Sequence, residues 1–265
     1  ADHFGGGFAG VVRDDVIRQT LNDLANVSSL FPMSEIVHCS VEVKKLNVSG
    51  RNYLGGFAGV QANSYVIECD LNVPSGIKLS GSGECVGGFT GSAQLGTTFT
   101  LDDYLPVSGS LLGTVTAVLE DAAGSQNGQV LLALGGVSPS GIVGCRIYGR
   151  LDVGASGDMV GGIVGKGEAV QILKSSDILL LGKYASGNAT PPATSGDRKT
   201  TVSQLYRVRT WGNYAGGIAG YLMSASTKSL LGDTLGAKAF LGYLVEDVDV
   251  YGISEGYFVE ADGDY

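Results

Sequence analysis

Apolar and polar residues alternate along this chain in short runs, and the runs recur. "SEIVHCSVEV" around Cys39, "SYVIECDLNV" around Cys69 and "SGIVGCRIYG" around Cys145 share one pattern, and a weaker copy, "AVQILKSSDI", puts Ser175 where the cysteine would be. Val41, Val43 and Leu46 set against Glu42, Lys44 and Lys45 show the near-alternation of a half-buried strand rather than the period of a helix.

A second phrase punctuates these strands. Gly6-Gly7-Phe8-Ala9-Gly10 returns as Gly55-Gly56-Phe57-Ala58-Gly59, Gly87-Gly88-Phe89-Thr90-Gly91, Gly161-Gly162-Ile163-Val164-Gly165 and Gly216-Gly217-Ile218-Ala219-Gly220. Cys39 to Gly55 and Cys145 to Gly161 are each 16 residues, Cys69 to Gly87 is 18, and Gly55 to Cys69 and Gly161 to Ser175 are each 14. One unit is therefore about 30 residues: a strand, a turn, the glycine phrase and another strand. A unit of that size cannot bury its own apolar face, so units must stack.

The expected fold is all-β: a right-handed parallel β-helix, a solenoid of about six coils in one domain over residues 1–265. Its coils lie about 4.8 Å apart, and its handedness follows the crossover preference. A β-sandwich is the alternative that Gly-punctuated strands also allow. In the stack every glycine phrase occupies the same corner, where glycine serves either positive φ or close approach of neighbouring coils. Cys39, Cys69, Cys145 and Ser175 form an inward ladder. Three insertions interrupt the repeat: 12–34, where Val16, Ile17, Leu21, Leu24 and Val27 predict a short amphipathic helix capped by Asp14 or Asp15; 92–139, a hairpin; and 183–204, a polar, Pro/Gly-rich loop with no core residues. "YLVEDVDVYGISEGYFVE" reads as one further, degenerate coil.

Composition narrows the function. Glycine is 43 of 265 residues, yet 44% of the chain is hydrophobic and only 16% charged, which separates it from disordered glycine-rich linkers. A net charge of −9 with no basic run argues against nucleic acid or an anionic membrane surface. No apolar stretch approaches the roughly 20 residues of a membrane span. The opening "ADHFGGGFAG" lacks the basic and apolar regions of a secretory signal and reads as a mature or trimmed start. Neither end carries an evident polar cap, so the chain is expected either to be a piece of a longer one or to stack end to end.

The phrases "YLGGFAGV...SYVIECDLNV" and "DMVGGIVGKGEAVQIL" resemble the GLUG motif, a short repeat of large secreted bacterial surface and adhesin-like proteins. The resemblance covers a bit under half of the chain and departs from the motif in the long insertions. It implies an extracellular or cell-surface β-helical protein and brings no catalytic residues.

Candidate chemistry is sparse. Equivalent cysteines on stacked strands project in parallel at about 4.8 Å, whereas a disulfide needs Cβ atoms nearer 3.8 Å, so reduced inward thiols are expected. Cys85 occupies a different repeat position, level with Tyr53, Met159 and Tyr214, and stands alone. No Cys or His spacing suggests a metal, and no cofactor is expected. His38 and Cys39, adjacent on a strand, point to opposite faces and form no dyad. Asp102-Asp103 is the best carboxylate pair for a depolymerase, with Asp14-Asp15 second, yet neighbours in one loop rarely span the separation glycosidases need. Tyr104 and Tyr184 are weak candidates for a sugar-stacking platform, while Trp211 and Tyr214 read better as corner packing.

The expectation is a non-enzymatic surface scaffold or adhesin segment that presents its insertions to a glycan or a surface protein. A self-assembling filament or surface-layer subunit is the first alternative. A β-helical polysaccharide depolymerase is the second.

Overall fold

The computed structural model describes residues 3–13, 34–94, 140–181, 184, 190–226, 240–254, 256 and 258–263, with 225, 226, 240 and 241 described as backbone alone. The expected amphipathic helix within 12–34 and the hairpin within 92–139 fall outside the described residues.

The fold is mostly strand, with almost no helix. The first layer holds β1 (Gly5–Gly6), β2 (Ala9–Arg13), β3 (Ser34–Val37), β4 (Ser40–Glu42) and β5 (Leu46–Gly50). The second holds β6 (Leu54–Gly55), β7 (Ala58–Ala62), β8 (Ser64–Ile67), β9 (Asp70–Asn72) and β10 (Ile77–Gly81). The third holds β11 (Val86–Gly87), β12 (Thr90–Gln94), β13 (Gly141–Val143) and β14 (Arg146–Ala155). The fourth holds β15 (Val160–Gly161), β16 (Val164–Glu168), β17 (Gln171–Leu173) and β18 (Thr200–Thr210). The fifth holds β19 (Ala215–Gly216), β20 (Ala219–Met223), β21 (Ala225–Ser226), β22 (Phe240–Leu241), β23 (Leu244–Val245), β24 (Val248–Gly252) and β25 (Phe258–Ala261). Each layer visits four parallel sheets in the same order: β1-β6-β11-β15-β19, then β2-β7-β12-β16-β20, then β3-β8-β13-β17-β23, then β5-β10-β14-β18-β24 with β4, β9 and β25 alongside. Only β21 and β22 pair antiparallel among the described strands. The repeat thus produces five described layers, where the spacing predicts about six.

Register places like on like. Leu46, Ile77, Leu151 and Leu205 form one inward row of the fourth sheet, and Val48, Leu79, Val153 and Val208 form another. The inner layers bury these side chains almost completely. Phe8, Phe57 and Phe89 stack with ring centroids 4.6 and 4.8 Å apart, and Ile163 continues their column.

The glycine phrase turns the chain from the first sheet into the second. None of its glycines has positive φ, so of the two reasons for glycine, close approach is the one that operates. A Cβ on Gly55 would overlap the carbonyl of Ala58 in its own turn, one on Gly56 would overlap the carbonyl of Gly88 in the next layer, and one on Gly59 would lie 2.6 Å from Gly10 O in the layer before.

Long segments leave from shared places. Layers two and four turn tightly from the second to the third sheet, through Asn63 (φ 48°) and Ala169 (φ 49°). At that corner layers one, three and five instead leave and return across 14–33, 95–139 and 227–239. The last of these segments is not anticipated from the sequence pattern. The expected loop 183–204 also changes character. Residues 200–204 belong to β18, where Val202 is buried, and the departure begins earlier, at a short 3-10 helix over Ser175–Leu180. Alternation in "TTVSQLYRVRT" carries the core pattern back five residues further than the polar composition suggests.

These contacts predict that Gly88→Ala, whose Cβ would overlap Gly162 O, lowers stability by about 1–3 kcal/mol through overpacking. Urea unfolding measures it.

Candidate functional site

The richest polar cluster lies at the corner from the third sheet to the fourth. There the chain needs a left-handed residue in successive layers, supplied by His38 (φ 53°), Glu68 (φ 50°), Gly144 (φ 59°) and Asp247 (φ 53°). In layer four, Lys174 at this step is extended, and the chain departs into 175–199 instead.

Glu68 is the centre of the cluster, its side chain only 1% exposed. Oε1 accepts the Ser195 N–H at 2.7 Å, and Oε2 accepts the Ser195 hydroxyl at 2.9 Å and lies 3.1 Å from His38 Nε2. Three residues on, Arg198 Nε donates to Gly144 O at 2.6 Å while its guanidinium pairs with Asp70. The segment 190–199 is thereby strapped across the corner, which is why this Pro/Gly-rich stretch is ordered against the stack rather than projecting from it. Burial pushes the Glu68 carboxyl up, but the adjacent Ser175 hydroxyl, the two hydrogen bonds from Ser195 and the charge of Arg198 outweigh it, leaving its pKa lowered. Burial dominates at Asp70, whose pKa is raised despite Arg198 and Arg146.

A serine, a histidine and a carboxylate in one cluster invite comparison with a hydrolytic triad. The order is wrong for one: the carboxylate stands between hydroxyl and imidazole, so the imidazole is not placed to take the serine proton. The arrangement holds the strap in place.

The cysteine column runs beside it. Cys39, Cys69 and Cys145 are free thiols on successive layers; Cys39 N–H donates to Cys69 Sγ at 3.4 Å, and Cys69 and Cys145 thiols reach carbonyls of Ile36 and Val66. The fourth rung is Thr200, not Ser175. Cys145 N–H donates to Thr200 Oγ1 at 3.2 Å, and Thr200 in turn donates to Leu173 O. Ser175 begins the departing turn and faces Glu68, because the layer is completed only after the strap returns. Burial pushes Cys69 and Cys85 up to about 12 and Cys145 well above its ordinary value, so these thiols stay protonated and unreactive at neutral pH.

Of the sequence-predicted binding residues, only Tyr184 lies among the described ones. Asp102, Asp103 and Tyr104 lie outside the described residues. Tyr184 is buried, its ring centroid 5.8 Å from that of Tyr65 and its hydroxyl donating to Glu35 Oε1 at 2.6 Å, so it has no free face for a sugar. Trp211, expected to pack at a corner, is 56% exposed beneath the Arg209 guanidinium. Tyr214 packs on Tyr221 at 5.1 Å. His38 lies at a corner, not on a strand. Among the described residues no group of three or more His, Cys, Asp or Glu could hold a metal ion.

The outer face of the fourth sheet carries a lattice that the sequence pattern does not announce. Arg207 grips Asp152 bidentately at 2.9 and 3.0 Å, Arg209 pairs with Glu260 and Asp262, and Arg150 lies 3.6 Å over the Tyr206 ring. A register shift between Leu151 and Asp152 inserts Tyr206 and brings Arg207 opposite Asp152.

No protein-family model matches the chain, no curated protein matches it, and no solved structure matches it.

Two measurements check the site. Because the folded Glu68 pKa is lowered, its stabilisation is present above the unfolded value near 4.3 and is lost as pH falls through the folded value. Glu68→Gln should therefore destabilise by about 1–3 kcal/mol at pH 7, and in urea titrations its difference from wild type should shrink towards zero as pH falls through the lowered folded value. In native protein at pH 8, a thiol reagent should label Cys39 first and leave Cys69, Cys85 and Cys145 slow; equal rates for all four would contradict the burial described.

Proposed function

We propose that this chain is a right-handed parallel β-helix serving as a non-enzymatic extracellular surface scaffold that presents long segments to a glycan or protein partner. The observation that carries the reading is the shared corner. Segments 14–33, 95–139 and 227–239 leave and return between the same two sheets, in layers one, three and five, so a rigid stack gathers them on one side. Partner contacts concentrate in loops held by such a scaffold. The resemblance of the repeat to GLUG-motif surface proteins supports the extracellular placement, and the right-handed crossover preference supports the handedness. The strap over 190–199 belongs to the scaffold, since Glu68 and Asp70 hold it down.

The test removes a segment without touching the stack. Ser140 Oγ already donates to Gln94 O at 2.9 Å, so 95–139 can be replaced by a short link that copies the Asn63 corner. The shortened protein should keep its circular dichroism and cooperative melt while losing binding to a panel of neutral and acidic polysaccharides and surface proteins. Binding that survives removal of all three segments overturns the reading, and so does shortening of the polysaccharide chains, which favours a depolymerase.

A further inference from the structure

The short 3-10 helix and the strap reach back over the three layers made before them. Ser175, Ile178 and Leu181 are buried at intervals of three, the spacing at which side chains eclipse in a 3-10 helix. Tyr184, buried as well, continues the series, its N–H donating to Leu181 O at 2.9 Å. Leu179 and Leu180 point away from this face and are exposed.

Ile178, Leu181 and Tyr184 pack on the outside of the third sheet. The row they cover is Val37, Ile67, Val143 and Leu173, register partners drawn one from each of layers one to four. The neighbouring row, Ile36, Val66, Ile142 and Ile172, belongs to the core inside the stack, and successive strand residues face opposite ways. Layer three supplies Gly141 beneath Leu181, where a Cβ would lie 2.8 Å from Leu181 Cδ2. The result is a second apolar core, outside the first, that four layers share.

Polar contacts fix the same elements to the same layers. Tyr184 bonds Glu35 of layer one, Ser195 bonds Glu68 of layer two, and Arg198 bonds Gly144 O of layer three while pairing with Asp70 of layer two. Ser175 N–H donates to Arg198 O at 2.8 Å and ties the departing end to the returning one. A stacked layer ordinarily touches only its neighbours, so a stack opens one layer at a time. The Tyr184–Glu35 bond departs from that rule: it joins layers four and one, 149 residues apart in the chain and about 14 Å apart in the stack.

We propose that Ile178, Leu181, Tyr184 and the strap over 190–199 form a clasp that holds layer one against peeling, so that layers one and two release together. The clasp exists only once layer four has formed, so a late layer locks the first. It does not rest on what the corner segments bind.

Pulling on the 265-residue chain in an optical trap tests it, with handles at His3 and Ser82, both exposed, so that layers one and two carry the load. Wild type should release the two layers in one step. Ile178→Ala combined with Leu181→Ala should let layer one go first, in a separate step and at least about tenfold faster at the same force. Tyr184→Phe removes one hydroxyl and keeps the ring, so the proposal stays falsifiable if the double variant fails to fold; its layer one should detach about two- to tenfold faster. Leu179→Ala, on the exposed face of the helix, is the control and should match wild type. A wild type that sheds layer one in its own step, or folded clasp variants whose layer one detaches no faster than that of wild type, overturns the proposal.

Discussion

The whole stack depends on how closely one layer's backbone approaches the next at the first corner. A carbonyl of the following layer occupies the space a Cβ would need at Gly7, Gly56, Gly88 and Gly162. That approach lets a Phe or Ile beside each glycine face its counterpart one strand spacing away, and it keeps four sheets in step. Once the corner is held, the inward rows of Leu, Ile and Val follow from register, and burial of those rows supplies most of the stabilisation. The glycines cost chain entropy, and the aromatic and aliphatic columns they permit offset it.

The same constraint explains what the stack tolerates. A corner made by one left-handed residue, such as Asn63 or Ala169, can be opened without disturbing the sheets on either side, because the bonds that define the layer lie in the strands. The corner to the fourth sheet behaves differently. There the departing segment is drawn back by Glu68 and Asp70, and its last residues become strand. A polar insertion and a polar strap look alike in composition; the difference lies in whether buried carboxylates of another layer await it.

Much of the architecture is legible in the residues. The recurring glycine phrase, the cysteine phrase and their intervals anticipate stacked parallel strands and the Cys39–Cys69–Cys145 column, because a stack repeats its local chemistry at every turn. The fourth rung is where spacing misleads: Ser175 matches by interval, but the 25 residues 175–199 intervene and Thr200 takes the place. Glu68 gives no such signal because its partners, Ser195 and Arg198, lie 127 and 130 residues away, a separation at which sequence carries no spacing pattern. Its one local sign is position, since His38, Glu68 and Gly144 each precede a ladder cysteine and all three are left-handed. Tyr184 has the look of a surface aromatic in a polar loop, but its hydroxyl finds Glu35 and its ring finds Tyr65.

Long segments issue from every second layer, with a tight turn through Asn63 or Ala169 in between. Two strand spacings are about 9.6 Å, close to the roughly 10 Å at which packed elements of secondary structure sit side by side. The tight layers therefore act as spacers. They hold successive points of departure two strand spacings apart, so the stack works as a ruler for whatever lies along that edge.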